Sequence, residues 1–178
     1  VLRHQSLASF SPILLSSIVS YFFTVEVFNY EPTFDIPLVA GNSPINIIFI
    51  IIGGIFAGLM ASLYSYLLTN KNFNFMNNFG SRPYLTPAYA GLICGIVAIK
   101  FPEVTGIGSE TINDLLNNRV ELTSAMIFLF LKLFLTTICI RMGLVGGIFA
   151  PALFLGASLG VVTAGLASTI SADINPLL

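Results

Sequence analysis

Apolar residues in this chain do not alternate with polar ones. They run together in five long stretches, at about Phe10 to Phe28, Ile45 to Leu68, Leu85 to Phe101, Leu122 to Ile140 and Ile148 to Ile170. A bilayer core about 30 Å thick takes roughly 20 helical residues to cross. The first, second and fifth stretches are long enough, and the third and fourth are marginal. Membrane-spanning strands would be about 10 residues long with strict alternation. These runs are longer and apolar on every face, so they predict helices. Short and Gly/Pro-interrupted segments among long ones point to discontinuous helices, a feature of transporter-like folds. The expected fold class is therefore all-α, a polytopic transmembrane helical bundle.

Composition narrows the picture further. Only 8% of the 178 residues are charged and 56% are hydrophobic, with a mean hydropathy of +0.92. A disordered chain needs low hydrophobicity. A soluble domain could not clothe this much apolar surface with so few charges. An integral, multi-pass membrane protein remains, with the lipid bilayer as its surroundings and the cell (inner) membrane as its expected location. The formal net charge of -1 provides no basic patch for nucleic acid. Cys94 and Cys139 lie far apart in sequence, inside apolar runs and without CxxC spacing. They read as small core residues rather than as a metal or disulfide pair.

The loops predict orientation. The first, Asn29 to Ser43, carries Glu31 and Asp35 and no base. The second, Thr69 to Tyr84, carries Lys71 and Arg82 and no acid. With Arg3 before the first stretch, the positive-inside rule places the amino-terminal flank and second loop in the cytoplasm and the first loop outside. The third loop, about Pro102 to Glu121, should then be outside. The second helix should run on past Leu68, since Asn70 to Asn78 holds no Pro or Gly to stop it. Tyr21, Tyr30, Tyr84 and Tyr89 lie near segment ends and fit interfacial anchoring. The lone His4 reads as solvated. Three GxxxG spacings, Gly54/Gly58, Gly91/Gly95 and Gly156/Gly160, suggest close helix approach in a tightly packed bundle.

The most informative stretch runs from Gly143 to Gly160. The fourth apolar segment stops, Gly146-Gly147 makes a turn, and a new helix begins near Ile148 with Pro151 in its first turn. The first N–H groups of a helix have no intrahelical partner and sit at the positive end of its dipole. Within a membrane they must be satisfied by protein, water or an anion. Two readings stand: an anion site built from the backbone N–H groups of Gly147, Ile148, Phe149 and Ala150, or an ordinary interhelical turn with water on its amides.

Gly146-Gly-Ile-Phe-Ala-Pro151, followed by Gly156-Ala-Ser-Leu-Gly160, closely resembles the GGIFAP segment of the CLC chloride channels and chloride/proton antiporters. In that family the segment opens one of the helices whose amino ends form the anion filter. Thr136-Thr-Ile-Cys139 and Gly143 fit the end of the preceding helix. Lys132 falls where the family often has a basic residue. Phe28-Asn29-Tyr30-Glu31 and Pro102-Glu-Val-Thr-Gly-Ile-Gly108 fit its loops. The likeness is strongest over about Pro102 to Gly165 and collinear before that. It implies that residues 1–178 are a fragment of a single CLC-type transmembrane domain, well under half of an inverted-repeat subunit. The family's GSGIP and G(K/R)EGP motifs and its late pore tyrosine are absent, so no residue here takes the gating role. The resemblance also implies chloride as transported ligand, no cofactor, and a homodimer in which the first helix faces a partner chain. The remainder of the same polypeptide would supply the other helices.

Thr105-Gly-Ile-Gly-Ser-Glu110 echoes GSGIPE weakly. Ser109 can N-cap a short helix through Ile112 to Leu116, with Glu110 in its first turn. Other roles for Glu110 are anion contact or proton handling. Lys132, inside an apolar helix, is a functional candidate by its position. It reads as a structural cation that raises the local positive potential; snorkelling, pairing with a carboxylate or carbonyl, and direct anion contact are the alternatives. An intramembrane enzyme would need a set such as HExxH, GxSxG or paired membrane Asp residues. None occurs, so no catalytic or metal-binding residue is assigned. A purely structural membrane subunit is the other class beside transport.

Overall fold

The structure is a computed structural model that describes residues 7–30, 34, 44–70, 85–144 and 146–170. The described residues are helical: α1 (Leu7–Phe28), α2 (Pro44–Thr69), α3 (Thr86–Lys100), α4 (Ser109–Leu116), α5 (Leu122–Arg141) and α6 (Phe149–Ile170), with a 3-10 turn at Pro102–Val104 before α4. The five expected apolar stretches and the short helix are all present. Four helices are long and apolar enough to cross a membrane: α1, α2, α5 and α6. At 15 residues α3 is about 22 Å long, short of a bilayer core. Arg3, His4, Glu31, Asp35, Lys71, Arg82 and Tyr84, on which the topology reading rests, lie outside the described residues.

The chain divides into two compact units, one ending at Phe34 and one beginning at Asp35. The first contains α1, whose side chains from Ser11 to Phe28 are exposed apart from the half-buried Thr24 and Val25. In the second unit α5 is the central element. Ala125, Phe128, Leu129, Lys132 and Leu133 recur at the three- and four-residue spacing of one helix face, and Leu135, Thr137 and Ile138 bury a second face. Leu129 and Leu133 join Leu155 and Leu159 of α6 and Tyr64 of α2 in one core. Ile138 and Met142 pack with Ala90 of α3 in another. Burying such a side chain contributes about 1.5–3 kcal/mol.

Two junctions bear on the sequence reading. The second helix runs past Leu68 to Thr69, and residues 71–78, where a longer run would fall, lie outside the described residues. Its last carbonyls are held by the side chain of Arg141, at the end of α5. Its Nε and Nη2 donate to the Leu67 carbonyl at 3.0 and 2.9 Å, and Nη2 also donates to the Asn70 carbonyl. These are carbonyls that a helix end leaves without partners. The clamp sets the carboxyl ends of α2 and α5 on the same side, as the alternation of loops requires.

At the other junction the N-cap of α4 is Gly108, not Ser109. Gly108 is left-handed (φ 72, ψ 32), no side chain caps the helix, and Ser109 is its first helical residue. The helix starts when Ile112 N–H donates to the Gly108 carbonyl at 2.8 Å. The Thr111 hydroxyl donates to the Glu103 carbonyl at 3.1 Å and holds the preceding turn.

The GxxxG pairs do not mediate close approach among the described residues. A Cβ on Gly54, Gly58, Gly91, Gly95, Gly156 or Gly160 would meet no described atom within 4 Å. Close contacts occur at other glycines instead. A Cβ on Gly53 would lie 3.5 Å from Thr163 Oγ1, and one on Gly165 would lie 2.8 Å from Leu122 Cδ1. Spacing alone does not say which glycine turns toward a neighbour.

Candidate functional site

The site is organised by Lys132, which is midway along α5 and only 3% exposed. Its ammonium donates to the carbonyls of Val104 at 2.8 Å and Gly106 at 2.7 Å. It also stands 4.8 Å from the ring centroid of the fully buried Phe154 on α6. An ammonium has three donors; here two meet carbonyls and the cation faces a π surface. Of the roles open to it from sequence, pairing with carbonyls is the one observed.

These bonds also reshape the third loop. Lys132 is at mid-helix, so the carbonyls of Val104 and Gly106 are drawn against the middle of α5. Non-helical backbone at membrane depth is tolerated where protein buries it or a cavity adjoins it. Both hold here: Val104 is 1% exposed, and a cavity of about 190 Å³ opens beside the segment.

That cavity lies between the segments that lead into α4 and α6. Thr105 and Gly106, ahead of α4, form part of one wall. Gly146, Gly147 and Pro151, at the start of α6, form another. Lys132, Thr136 and the two cysteines lie between them on α5 and α3. The Val104 and Gly106 carbonyls, which would repel an anion, are engaged by the Lys132 ammonium. Gly146 and Gly147 supply backbone with no side chain in the way: a Cβ at either would meet no described atom within 4 Å. The arrangement presents a cation, a hydroxyl and a helix amino end around one space. A partial positive charge at such an end favours anions.

The sequence candidates fall into three groups. Gly146, Gly147, Pro151 and Lys132 come together around the cavity. Ile148, Phe149 and Ala150 follow directly but do not line it. Ile148 is 55% exposed and Phe149 is 79% exposed, while Ala150 is half-buried. Helix α6 begins at Phe149 rather than Ile148. The Ile148 carbonyl is held from two directions, by Ala152 N–H at 3.2 Å and the Tyr64 hydroxyl at 3.3 Å. Glu110 stands apart, exposed in the first turn of α4. It lines a separate, more polar recess with Glu103, Ser109 and Asp114, where its charge suits the helix amino end.

Tyr64, Thr136, Arg141 and the meeting of Cys94 with Cys139 escaped the sequence reading. Tyr64 and Arg141 had a signal, since each is a polar group within or ending an apolar helix and needs a partner there. The cysteine pairing had none, because it depends on how α3 crosses α5. No group of three or more His, Cys, Asp or Glu that could hold a metal ion occurs among the described residues.

Comparison with known proteins places these features. The chain is 30% identical over 166 residues to chloride channel protein CLC-f of Arabidopsis thaliana, covering 89% of this chain and 21% of that protein. It is 34% identical over 131 residues to the H(+)/Cl(-) exchange transporter ClcA of Vibrio vulnificus, covering 71% of this chain and 28% of that protein. It is 30% identical over 176 residues to chloride channel protein CLC-e of Arabidopsis thaliana, covering 93% of this chain and 25% of that protein. The chain therefore spans between a fifth and three tenths of the length of these curated relatives. No solved structure matches. The family described as voltage gated chloride channel matches residues 1–177. With four helices able to span a membrane, this is an integral multi-pass membrane chain, and it belongs to the voltage-gated chloride channel (CLC) family.

Proposed function

We propose that this chain supplies one wall of a chloride pathway in a longer CLC polypeptide. Anions would be received by the backbone amides of Gly147, Ile148, Phe149 and Ala150 at the start of α6. The observation that carries the reading is the cavity beside the start of α6, lined by Gly146, Gly147, Pro151 and Lys132. Gly143, left-handed at φ 89, lets the chain turn at the end of α5, and Pro151 fixes the opening turn of α6 at a position where its missing N–H costs nothing. Partial charges replace the hydration shell while remaining weak enough for the ion to leave. Lys132 serves from behind: its donors are taken by carbonyls and a ring, so it adds positive potential without gripping the ion. The exposed faces of Ile148 and Phe149 are where the remaining helices of the polypeptide would close the pathway.

The proposed protein is a homodimer in a cell membrane, with chloride as its cargo, no cofactor and no covalent step. The bare apolar surface of α1 suits the partner interface. Two of the named relatives are called chloride channels and one an H(+)/Cl(-) exchanger; channel and exchanger activity use the same proposed amides.

Chloride flux from the full-length protein in liposomes, recorded together with internal pH, tests the proposal. Chloride efflux supports it, and proton movement coupled to that flux would mark exchange. No chloride flux from well-folded protein would contradict it and favour a structural role.

A further inference from the structure

Cys94 on α3 and Cys139 on α5 are brought together with their sulfurs 3.1 Å apart, one thiol donating to the other. Both are free and half-buried. A disulfide bond is about 2.05 Å long, so its formation would require the sulfurs to approach by only about 1 Å. The two helices are already held beside the pair by Ala90, Ile138 and Met142. A buried cysteine is normally inert because no reagent reaches it. These two differ, because both line the cavity of about 190 Å³ that also contacts Lys132, Gly146 and Gly147. A small uncharged oxidant such as hydrogen peroxide fits that space.

We propose that Cys94 and Cys139 form an oxidation site, at which hydrogen peroxide converts the thiol pair into a disulfide joining α3 to α5. One sulfur attacks a peroxide oxygen. The O–O bond breaks, and the departing hydroxide takes the thiol proton to leave as water, giving a sulfenic acid. The second sulfur then attacks the sulfenic sulfur. The S–S bond forms, the S–O bond breaks, and the hydroxide released takes the second thiol proton to leave as water. Two electrons pass from the sulfurs, reducing one peroxide to two waters.

The consequence for transport rests on the proposed anion pathway. Cys139 lies in the last turn of α5. The chain leaves α5 through a turn at Met142-Gly143 and Leu144, which packs on the Ala90–Ile138–Met142 cluster, toward Gly146 and Gly147. Drawing Cys139 toward α3 shifts that connection and stiffens the cavity wall, so oxidation lowers flux.

The test uses the full-length protein in liposomes, treated with hydrogen peroxide and then with dithiothreitol. Peptide mapping and chloride flux are read at each stage, with each protein compared with its own flux before oxidation. The expected result is a linked Cys94–Cys139 peptide and a severalfold fall in flux, both reversed by dithiothreitol. Cys94→Ser and Cys139→Ser should keep their starting flux through the treatment. Thiols that stay free for alkylation after peroxide would overturn the proposal, as would a disulfide that leaves flux unchanged. If unoxidised protein carries no chloride, the pathway reading fails, while the peptide map still decides whether the thiols pair.

Discussion

Gly108 and Phe154 fit together so closely that a Cβ on Gly108 would stand 2.9 Å from two carbons of the ring. Gly108 also has φ 72, a conformation that side chains rarely adopt. Its carbonyl begins α4, while the Phe154 ring lies beside the Lys132 ammonium. One glycine therefore sets how deeply the third loop can fold against α6.

Gly108→Ala should destabilise the protein by about 2–4 kcal/mol, combining backbone strain with overpacking. Gly106 provides the control. It too has positive φ, but no described atom lies within 4 Å of its Cβ position, so Gly106→Ala should cost only about 1 kcal/mol. Unfolding of the intact protein in detergent checks both. Equal losses would mean that the Phe154 contact does not constrain the loop.

Lys132→Met should remove the donor from two inward-facing carbonyls. Leaving such acceptors unpaired costs about 1–3 kcal/mol each. Melting temperature should fall and chloride flux should fall with it, because the loop is freed and the positive potential is lost. Lys132→Arg should restore the charge but not the geometry, since a planar fork does not replace a compact ammonium. Unchanged stability in Lys132→Met would show that the ammonium does not hold the loop.

Arg141→Ala should fray the end of α2 by freeing the Leu67 and Asn70 carbonyls. The expected loss is about 1.5–3 kcal/mol, the range for hydrogen bonds from a charged donor. Amide hydrogen exchange should quicken in the last turn of α2 and remain unchanged in the first turns of α5. Exchange that quickens evenly would indicate global destabilisation instead of release of that helix end.

The helices were legible in the sequence because each is a long apolar run, and the start of α6 near Ile148 because Pro151 marks a first helical turn; the turn itself falls at Met142-Gly143, where Gly143 has φ 89, and not at Gly146-Gly147 as expected. Where helices touch was not legible. The GxxxG pairs lie on surfaces that no described residue approaches closely, while Gly53 and Gly165 make the close approaches. The inward fold of residues 102–108 depends on Lys132, yet neighbouring sequence does not say which carbonyls a mid-helix ammonium will find. The partner of the α2 end was not legible for a similar reason: Arg141 lies 74 positions beyond Leu67. Local pattern records the faces of a helix, and long-range partners settle its ends.

Ser158 is fully buried on α6, and its hydroxyl has no hydrogen-bond partner among the described residues. Ser158→Ala removes an unpaired polar group, so it should leave stability unchanged or raise it by up to about 1 kcal/mol. Thermal unfolding measures this. A clear loss would mean that the hydroxyl has a partner in the complete protein.

The most direct test of the anion site is an anomalous bromide map of the full-length protein, calculated with the ion omitted from phasing. The account predicts bromide density beside the amides at the start of α6, within reach of Ile148 and Phe149, lost or displaced in Gly147→Val because the added side chain occupies the approach. Bromide bound elsewhere in the same pore at saturating concentration, with none at these amides, would contradict it and leave the Gly146-Gly147 segment as a connection between two helices.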